Sequence, residues 1–456
     1  MRRRRGIVLT PSGLKRLQDA IHLAEIRDNG GHRFTLEQLS DRINISTKTI
    51  SRLWSLNSGV DQKTLRLCFS AFDLQLNSDD YTAIGELDEI EEEIDTPSTV
   101  SPTLLHLPYP GGPMAVDSPF YINRAPNEEL AYREVTQPGC VIRIHAPRGM
   151  GKSSLTVRLL NFAESLGYRT ILFDCNQIDG SYLTDLNRLL KCFCRRISMD
   201  LGVPPRLEDY WDNTVGSKLS CTLYFKQYLL QQLKAPFVLA LNEVDCLFEH
   251  SPIAMEFFPM LRSWYEAARR DRDWQKVRQV VIYSTEEFPA LNINFSPFNV
   301  GLPLRLPEFT SEQVQTLARR YGLNWSMEQL EPLITLVGGH PTMVQIAFYH
   351  LCCEGMTLED LLQQAIVDGG VFRFYMRQRW LALQKHPHLV KAMAMLLESD
   401  EGVQFDPVLT EQLASQGLIR FEGNGSQFRS QHSPVQPRCY LYRIYFKQQM
   451  AVVSML

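Results

Sequence analysis

The sequence predicts an α/β fold: a parallel sheet covered by helices on both faces. Three observations carry this. Apolar runs of strand length recur at "CVIRIHA" (140–146), "RTILFD" (169–174), "FVLALNE" (237–243) and "VRQVVIYS" (277–284). Amphipathic helical stretches such as "KSSLTVRLLNFAESLG" lie between them, the alternation that forces strands to run parallel. The first run passes directly into a glycine-containing loop and then a helix, the order in which α/β proteins hold phosphate.

In chain order, residues 1–84 read as short helices, an all-α domain that carries 13 Lys/Arg against 9 Asp/Glu. Within it "FTLEQLSDRINISTKTISRLWS" (34–55) reads as helix, tight turn, helix. Leu36, Leu39 and Ile43 line one face of the first helix, and Ile50 and Leu53 line the second. Ser46 or Thr47 is placed to cap the second helix. Its outward residues are Thr47, Lys48, Thr49, Ser51 and Arg52, hydroxyls and cations suited to base edges and phosphates of double-stranded DNA. Arg3 and Arg4, in the run "RRRR", suit an arm that follows phosphates or a minor groove. A helical adaptor that binds protein fits the same pattern. Between Gly85 and Asp95 stand seven carboxylates, followed by "VSPTLLHLPYPGGP", so a linker is placed at 85–116.

The core domain is placed at 117–305. Its first strand ends in Ala146-Pro147-Arg148-Gly149-Met150-Gly151-Lys152-Ser153-Ser154, which meets G-x-x-x-x-G-K-[ST] with Ala146 in place of the first glycine. Backbone N–H groups of this loop and the helix N-terminus behind it wrap a phosphate. Lys152 then reaches the β- and γ-phosphates, and the Ser153 hydroxyl faces Mg²⁺. This is the signature of a P-loop NTPase, with ATP or ADP and Mg²⁺ as cofactors.

The third strand ends in Asn242-Glu243, where such enzymes carry two acids. The first acid helps hold Mg²⁺, often through water, and the second orients the attacking water. Glu243 fits the second role, whereas Asn242 offers the metal an amide oxygen without charge, which predicts slow hydrolysis. Asp245 is read as a loop or helix-cap residue. Ser284, at the tip of the fourth strand, is a candidate for sensing the γ-phosphate or positioning water. Arg262, Arg269 and Arg270, on the helix before that strand, are candidates for reaching a neighbour's nucleotide in an oligomer. Beyond residue 306 the pattern turns helical. Near the C-terminus a helix precedes two strands around Gly423-Asn424-Gly425, which predicts a small winged-helix-like unit at 376–456.

Bulk properties bound the rest. The chain has 456 residues, 44% of them hydrophobic, enough for large cores, and a net charge of −4, so any nucleic-acid footprint is local. Its ten cysteines lack metal-site spacing and read as reduced thiols of a cytoplasmic protein. The basic start is followed by a short apolar stretch broken at Pro11-Ser12-Gly13, which argues against an export signal, and no apolar run is long enough for a membrane span.

The blocks "SPFYINR", "YREVTQPGCVIRIHAPRGMGKSSL", "LALNEVDCLFE", "FNVGLPLRLPEFTSEQVQTLARRYGL", "LVGGHPTMVQIAFYHL" and "PRCYLYRIYF" together resemble the AAA-like domain of bacterial STAND-type signalling ATPases over about residues 117–450. The N-terminal part resembles the helix-turn-helix modules of proteins that carry this domain, of the vWA-MoxR-associated type. The resemblance implies a helical lid at 306–375, with Gly339, His340 and Pro341 near the base and phosphates, and Tyr121 and Arg124 before the base pocket. It also implies a switch in which ADP holds a closed monomer and ATP supports an open, often oligomeric form. This sequence departs from the family at Asn242, where the family usually carries Asp. Two functions follow. In one, nucleotide state controls oligomerisation and DNA binding by the N-terminal module, with slow ATP hydrolysis. In the other, the chain is a signalling or defence hub whose N-terminal module recruits a protein partner and whose nucleotide is structural.

Overall fold

A computed structural model of the chain describes residues 109–284, 299–399, 401–421 and 434–454. In the first 83 residues it describes 7–10, 34, 36–46, 60–72, 74–77, 80–83 and the single positions 13, 16, 17, 20, 21, 24, 28 and 49. The chain divides into two compact units, Met1–Thr99 and Val100–Leu456.

In the first unit, helix α1 (Leu36–Ile43) buries Leu39 and Ile43, two of the three positions read as its inner face. Helix α2 (Gln62–Ser70) begins at Asp61, whose carboxylate accepts the Thr64 N–H at 2.9 Å, and buries Leu65, Cys68 and Phe69. After α1, Asn44 takes a positive φ of 59°, and Ser46 Oγ accepts the Thr49 N–H at 3.2 Å, the local geometry of a helix start. The all-α expectation is corrected here. Strands β1 (Ile7–Leu9) and β2 (Tyr81–Ala83) form an antiparallel pair. Arg16 and the buried Asp80 stand beside that pair, joined by an ion pair at 2.6 Å. Three-residue strands seventy residues apart leave no visible alternation in the sequence; only the fold pairs them. Of the expected DNA-contacting residues, Thr49 is described and half-buried. Arg3, Arg4, Thr47, Lys48, Ser51 and Arg52 lie outside the described residues, as do Ile50, Leu53 and the acidic segment at 85–95.

The second unit is built on five parallel strands: β3 (Val141–His145), β4 (Arg169–Asp174), β5 (Phe237–Asn242), β6 (Val277–Tyr283) and β7 (Leu302–Arg305), in the spatial order β4-β5-β6-β3-β7. Four are the strands read from the sequence. The fifth, β7, enters beside β3 at Gly301, where φ is +69° and a Cβ would stand 2.1 Å from the Val141 carbonyl oxygen. Alternate residues of each strand feed two cores. On one face Ile142, Ile144, Val238, Ala240 and Val280 pack on helices α3 (Asn127–Val135) and α4 (Lys152–Ser165). On the other, Leu239, Leu241 and Val281 pack on α5 (Leu186–Asp200), α6 (Ser217–Leu223) and α7 (Ser251–Ala267), through Phe193, Phe257 and Trp264. Both faces being covered explains why the strands read as near-continuous apolar runs.

After β7 the chain is mainly helical: α8 (Ser311–Arg320), α9 (Met327–Val337), α10 (Pro341–Cys353), α11 (Leu358–Asp368), α12 (Arg373–Gln384), α13 (Pro387–Glu398) and α14 (Pro407–Ser415). Capping boxes at Thr310/Gln313 and Ser326/Gln329 start α8 and α9. Then β8 (Ile419–Phe421) pairs antiparallel with β9 (Val435–Pro437), and α15 (Tyr440–Ser454) follows. The sequence reading of this end stopped at the two strands and missed α15. There Leu441, Tyr442, Tyr445 and Phe446 are buried, a spacing of one helical face rather than of a strand. One continuous core joins Phe309, Val337, Phe348, Leu389, Tyr442 and Phe446 across this whole region. Among the described residues no helix is long and apolar enough to cross a membrane.

Candidate functional site: a phosphate loop clasped by the C-terminal helices

The strand order places the site. β6 lies between β3 and β5, so Ser284 at its tip stands between the phosphate loop after β3 and the Asn242-Glu243 tip of β5. Ligands of open α/β sheets bind beyond the carboxyl ends of the strands, at this edge.

The loop Ala146–Ser153 connects β3 to the N-terminus of α4. Gly149 and Gly151 take φ values of +79° and +85°, a conformation that side chains resist. The space is closed as well: a Cβ on Gly149 would lie 2.6 Å from His340 Cε1, and one on Gly151 would lie 3.1 Å from Arg124 Nη2. Lys152 is buried and donates from Nζ to the carbonyl oxygens of Ala146 at 2.8 Å and Pro147 at 3.1 Å. Burial pulls its ammonium down to about 8, against the opposing pull of Glu243 and Asp245. Ser153 lines the cavity over the loop, whereas the Ser154 hydroxyl accepts the Met114 N–H at 3.0 Å. Ser154 therefore fixes the 112–116 segment against α4 and is a wall of the site.

That cavity, of about 240 Å³, runs from Gly112, Met114 and Ile122 at one end to Glu243 and Ser284 at the other. Arg124 is almost fully buried and donates from Nη1 to the Met150 carbonyl at 2.5 Å. Glu128, a buried carboxylate, accepts the Arg124 N–H at 3.0 Å and the Tyr121 hydroxyl at 2.6 Å. The Arg158 guanidinium sits 3.5 Å over the Tyr121 ring. The "YINR" segment is thus locked onto the loop and α4, and Phe309, Pro341 and Gln345 close the cavity above it.

At the strand tips Glu243 adopts φ +52°, rare for a residue with a side chain and concentrated at functional sites. Burial raises its carboxyl above the ordinary range, with Asp245 adding repulsion and Lys152 opposing. Asp245 turns inward: its Oδ1 accepts the Ser284 N–H at 3.0 Å. Ser284 Oγ and Asn242 Oδ1 are both buried with no hydrogen-bond partner. Buried polar atoms without a partner are uncommon and mark places where a ligand completes the shell. Ser284 Oγ, the Ser153 hydroxyl and the glycine cradle share one cavity and fit a phosphate with its hydrated Mg²⁺, whereas Asn242 does not line that cavity. Among the described residues no cluster of three metal-ligating His, Cys, Asp or Glu side chains exists.

His340 caps α10 and is fully buried. Its Nδ1 accepts the Met343 N–H at 3.4 Å, while Nε2 lies 2.8 Å from the Tyr375 hydroxyl and 3.2 Å from the Arg148 carbonyl oxygen. Burial, then the charges of Arg438 and Arg379, hold this imidazole far below its usual value, so it is neutral. Thr342 donates from Oγ1 to the Gly149 carbonyl at 2.8 Å. Arg438, also buried, donates from Nε to Glu308 at 2.5 Å and from Nη1 to the Gly417 carbonyl at 3.2 Å, with Nη2 3.1 Å from Met150 Sδ. Sequence reasoning found His340 and Pro341 and missed Thr342, Tyr375 and Arg438. Only the position of Arg438 directly after the β9 proline, in an otherwise aromatic block, hinted at a role.

Arg262 pairs with Glu266 at 2.7 Å on its own helix and meets Asn299, and Arg269 stacks on Tyr265 with its guanidinium 4.9 Å from the ring centre. Arg269 and Arg270 follow the end of α7, where Ala268 packs against Gly139 at the start of β3. This is the edge of the sheet opposite the phosphate loop, so these arginines do not line the chain's own cavity.

The family model for the AAA-like domain matches residues 109–448. No curated protein matches the sequence. Among solved structures the chain is similar to the Walker-type ATPase of Pyrococcus abyssi (13% identity, 72% of this chain and 96% of that one, TM-score 0.48). It is also similar to the ORC2 protein of Aeropyrum pernix in its ADPNP-ADP complexes (15%, 74% and 98%, 0.41). A third is AMPPCP-bound DnaA from Aquifex aeolicus (13%, 65% and 79%, 0.35). With the family model spanning the sheet, the phosphate loop and the helices that clasp it, the chain belongs to the AAA-like domain family.

Proposed function

We propose that this chain is a cytoplasmic ATP- and ADP-binding switch. Its nucleotide state sets oligomerisation and double-stranded DNA binding by the N-terminal helix-turn-helix module, and it hydrolyses ATP slowly. The observation that carries this reading is the clasp: His340, Thr342, Tyr375 and Arg438, all from beyond the sheet, contact Arg148, Gly149 and Met150 of the phosphate loop. A nucleotide that binds the loop differently with and without its terminal phosphate shifts the helices attached to it, by as much as its affinity differs between the two arrangements.

In this mechanism Lys152 leaves the Ala146 and Pro147 carbonyls for the β- and γ-phosphates, and the loop N–H groups hold the remaining oxygens. Ser153 and Asn242 are the residues that would hold Mg²⁺; when bound, the ion would neutralise charge on the phosphates. Glu243 orients the attacking water, and Ser284 offers its free hydroxyl to the terminal phosphate. We read the 1–84, 85–116, 117–305, 306–375 and 376–456 divisions as module, linker, ATPase core, lid and winged-helix-like end. Assembly in the ATP state would bring several weak DNA modules together, which multiplies affinity.

The test is duplex DNA affinity and molar mass in apo, ADP and ATP-analogue samples, over a range of salt. Tighter, salt-sensitive binding and larger mass with the ATP analogue support the switch. Equal affinity in all three states refutes the coupling to DNA. A nucleotide-dependent mass with no DNA binding at any salt transfers the role of the N-terminal module to a protein partner.

A further inference from the structure

Helices α11 and α12 meet at a corner that turns apolar side chains outward. Ile366 and Val367, in the last turn of α11, are 47% and 75% exposed, and Phe374, in the first turn of α12, is 76% exposed. The corner is rigid. Gly369 and Gly370 take φ values of +73° and +47°, and a Cβ on Gly370 would stand 2.9 Å from the Ala365 nitrogen. Phe372, just before α12, is fully buried, and Gln448 of α15 donates from Nε2 to the Ile366 carbonyl at 2.8 Å. The backbone therefore holds these apolar groups in solvent, the mark of an interaction surface. A groove of about 360 Å³ opens at the corner, lined by Gln363, Gln364, Val367, Gly370 and Arg373. Phe374 is the residue next to its Arg373 wall, so an apolar knob stands beside a hole. Charge runs along the same surface. Asp360, Gln364 and Val367 follow one another at helical spacing on α11, and Phe374 and Arg377 do so on α12. Asp360, Arg373 and Arg377 are all exposed, so the surface is acidic at one end, apolar at the corner and basic at the other end.

From this geometry we propose that the α11–α12 corner is the surface through which two copies of this chain pair. The contact is isologous: a twofold axis at the groove lays the two surfaces antiparallel, and Phe374 of each copy enters the groove of the other. The same axis sets the acidic end of one surface against the basic end of the other, Asp360 facing Arg377. A knob beside a hole, with opposite charges at the two ends, is what a self-complementary face requires, and a second copy carries all of it. The inference rests on the switch reading above, for which it names the surface of oligomerisation. The link to nucleotide is α12 itself. Tyr375, the residue after Phe374, bonds to His340 at 2.8 Å and to the Arg148 carbonyl of the phosphate loop at 3.3 Å. A nucleotide that moves the loop therefore moves the helix that presents the knob.

The experiment uses the full chain. Molar mass is followed by sedimentation over about a hundredfold range of concentration, without nucleotide, with ADP and with a non-hydrolysable ATP analogue, beside a fluorescent ADP titration. The wild type should pass from the mass of one chain to that of two, at the lowest concentration with the ATP analogue. Phe374→Asp should weaken pairing at least about 10-fold, with ADP affinity within about twofold. A melting curve confirms that the variant folds; should it not, Val367→Asp takes its place. At low salt Asp360→Lys and Arg377→Glu should each weaken pairing about 3-fold, and the two together should restore it. Pairing that is indifferent to Phe374→Asp overturns the proposal, because the copies then meet elsewhere. A double variant that pairs no better than the single ones overturns the antiparallel contact. One-chain mass at every concentration and in every nucleotide state overturns the proposal too and leaves the corner to a different protein. Pairing that Phe374→Asp abolishes but that is equal in all three nucleotide states upholds the surface and refutes its coupling to nucleotide. Failure of the wild type to bind ADP strikes the nucleotide-binding reading itself.

Discussion

Asp245 accepts the Ser284 N–H at 3.0 Å, and this bond joins the turn after β5 to the tip of β6. It aims the turn that carries Glu243 and holds Ser284 beside the loop. Asp245→Ala leaves the amide of Ser284 without its charged acceptor. We expect a stability loss of about 1–3 kcal/mol, read as a lower melting temperature. Turnover should fall with it, while ADP affinity, which depends on the loop and α4, stays within about twofold. An unchanged melting temperature would show that the bond does not hold the two tips together.

Gly149 meets both a backbone and a packing limit. A methyl group there has to tolerate φ +79° and a 2.6 Å approach to the His340 ring. Gly149→Ala should cost about 1–2 kcal/mol from the backbone conformation alone. It should also weaken ADP binding by at least about 10-fold, because the loop N–H groups no longer converge. Isothermal titration and thermal melts of the variant check both numbers.

Lys152 gives the pH dependence a definite sign. Its folded value, about 8, is below the unfolded 10.5, so the unfolded chain binds more protons between these two values. The cost of burying the ammonium is therefore fully present below pH about 8. It is relieved as pH rises from there towards the unfolded value. Relative to Lys152→Met, the nucleotide-free wild type should gain stability over that interval. Nucleotide affinity should run the other way and fall above pH about 8, since the neutral amine no longer pairs with phosphate. Denaturant midpoints and ADP titrations from pH 7 to 10 decide both; parallel stability curves for the two proteins would contradict the assignment.

The proposed switch assigns Asn242 the control of the hydrolysis rate, through the charge it lacks. Its Oδ1 is buried without a partner at the tip of β5, in register with Asp174 of β4. Asn242→Asp should raise steady-state ATP turnover by about 10-fold through tighter Mg²⁺ binding and better stabilisation of the transition state. Glu243→Gln should abolish turnover in either background and leave ADP binding intact. A wild type without turnover that Asn242→Asp does not restore would mean that the nucleotide is held rather than hydrolysed.

What the sequence by itself determined were the local and periodic features. Four strands of the sheet, the phosphate loop at Ala146–Ser153 and the helix behind it depend on residues close in the chain, whose pattern is complete within a short window. The tertiary structure decided what depends on long-range contacts. The β1–β2 pair joins short segments from opposite ends of the first unit, and β7 needs Gly301 to pass the Val141 carbonyl. Asp245 became a tie between two strand tips because β6 lies next to β5 in space. The clasp is the clearest case. Thr342, Tyr375 and Arg438 reach the loop from about two hundred to three hundred residues away, and the same side chains on exposed helices would read as ordinary surface. Periodicity records which face of a helix is buried, but it does not record what that face is buried against.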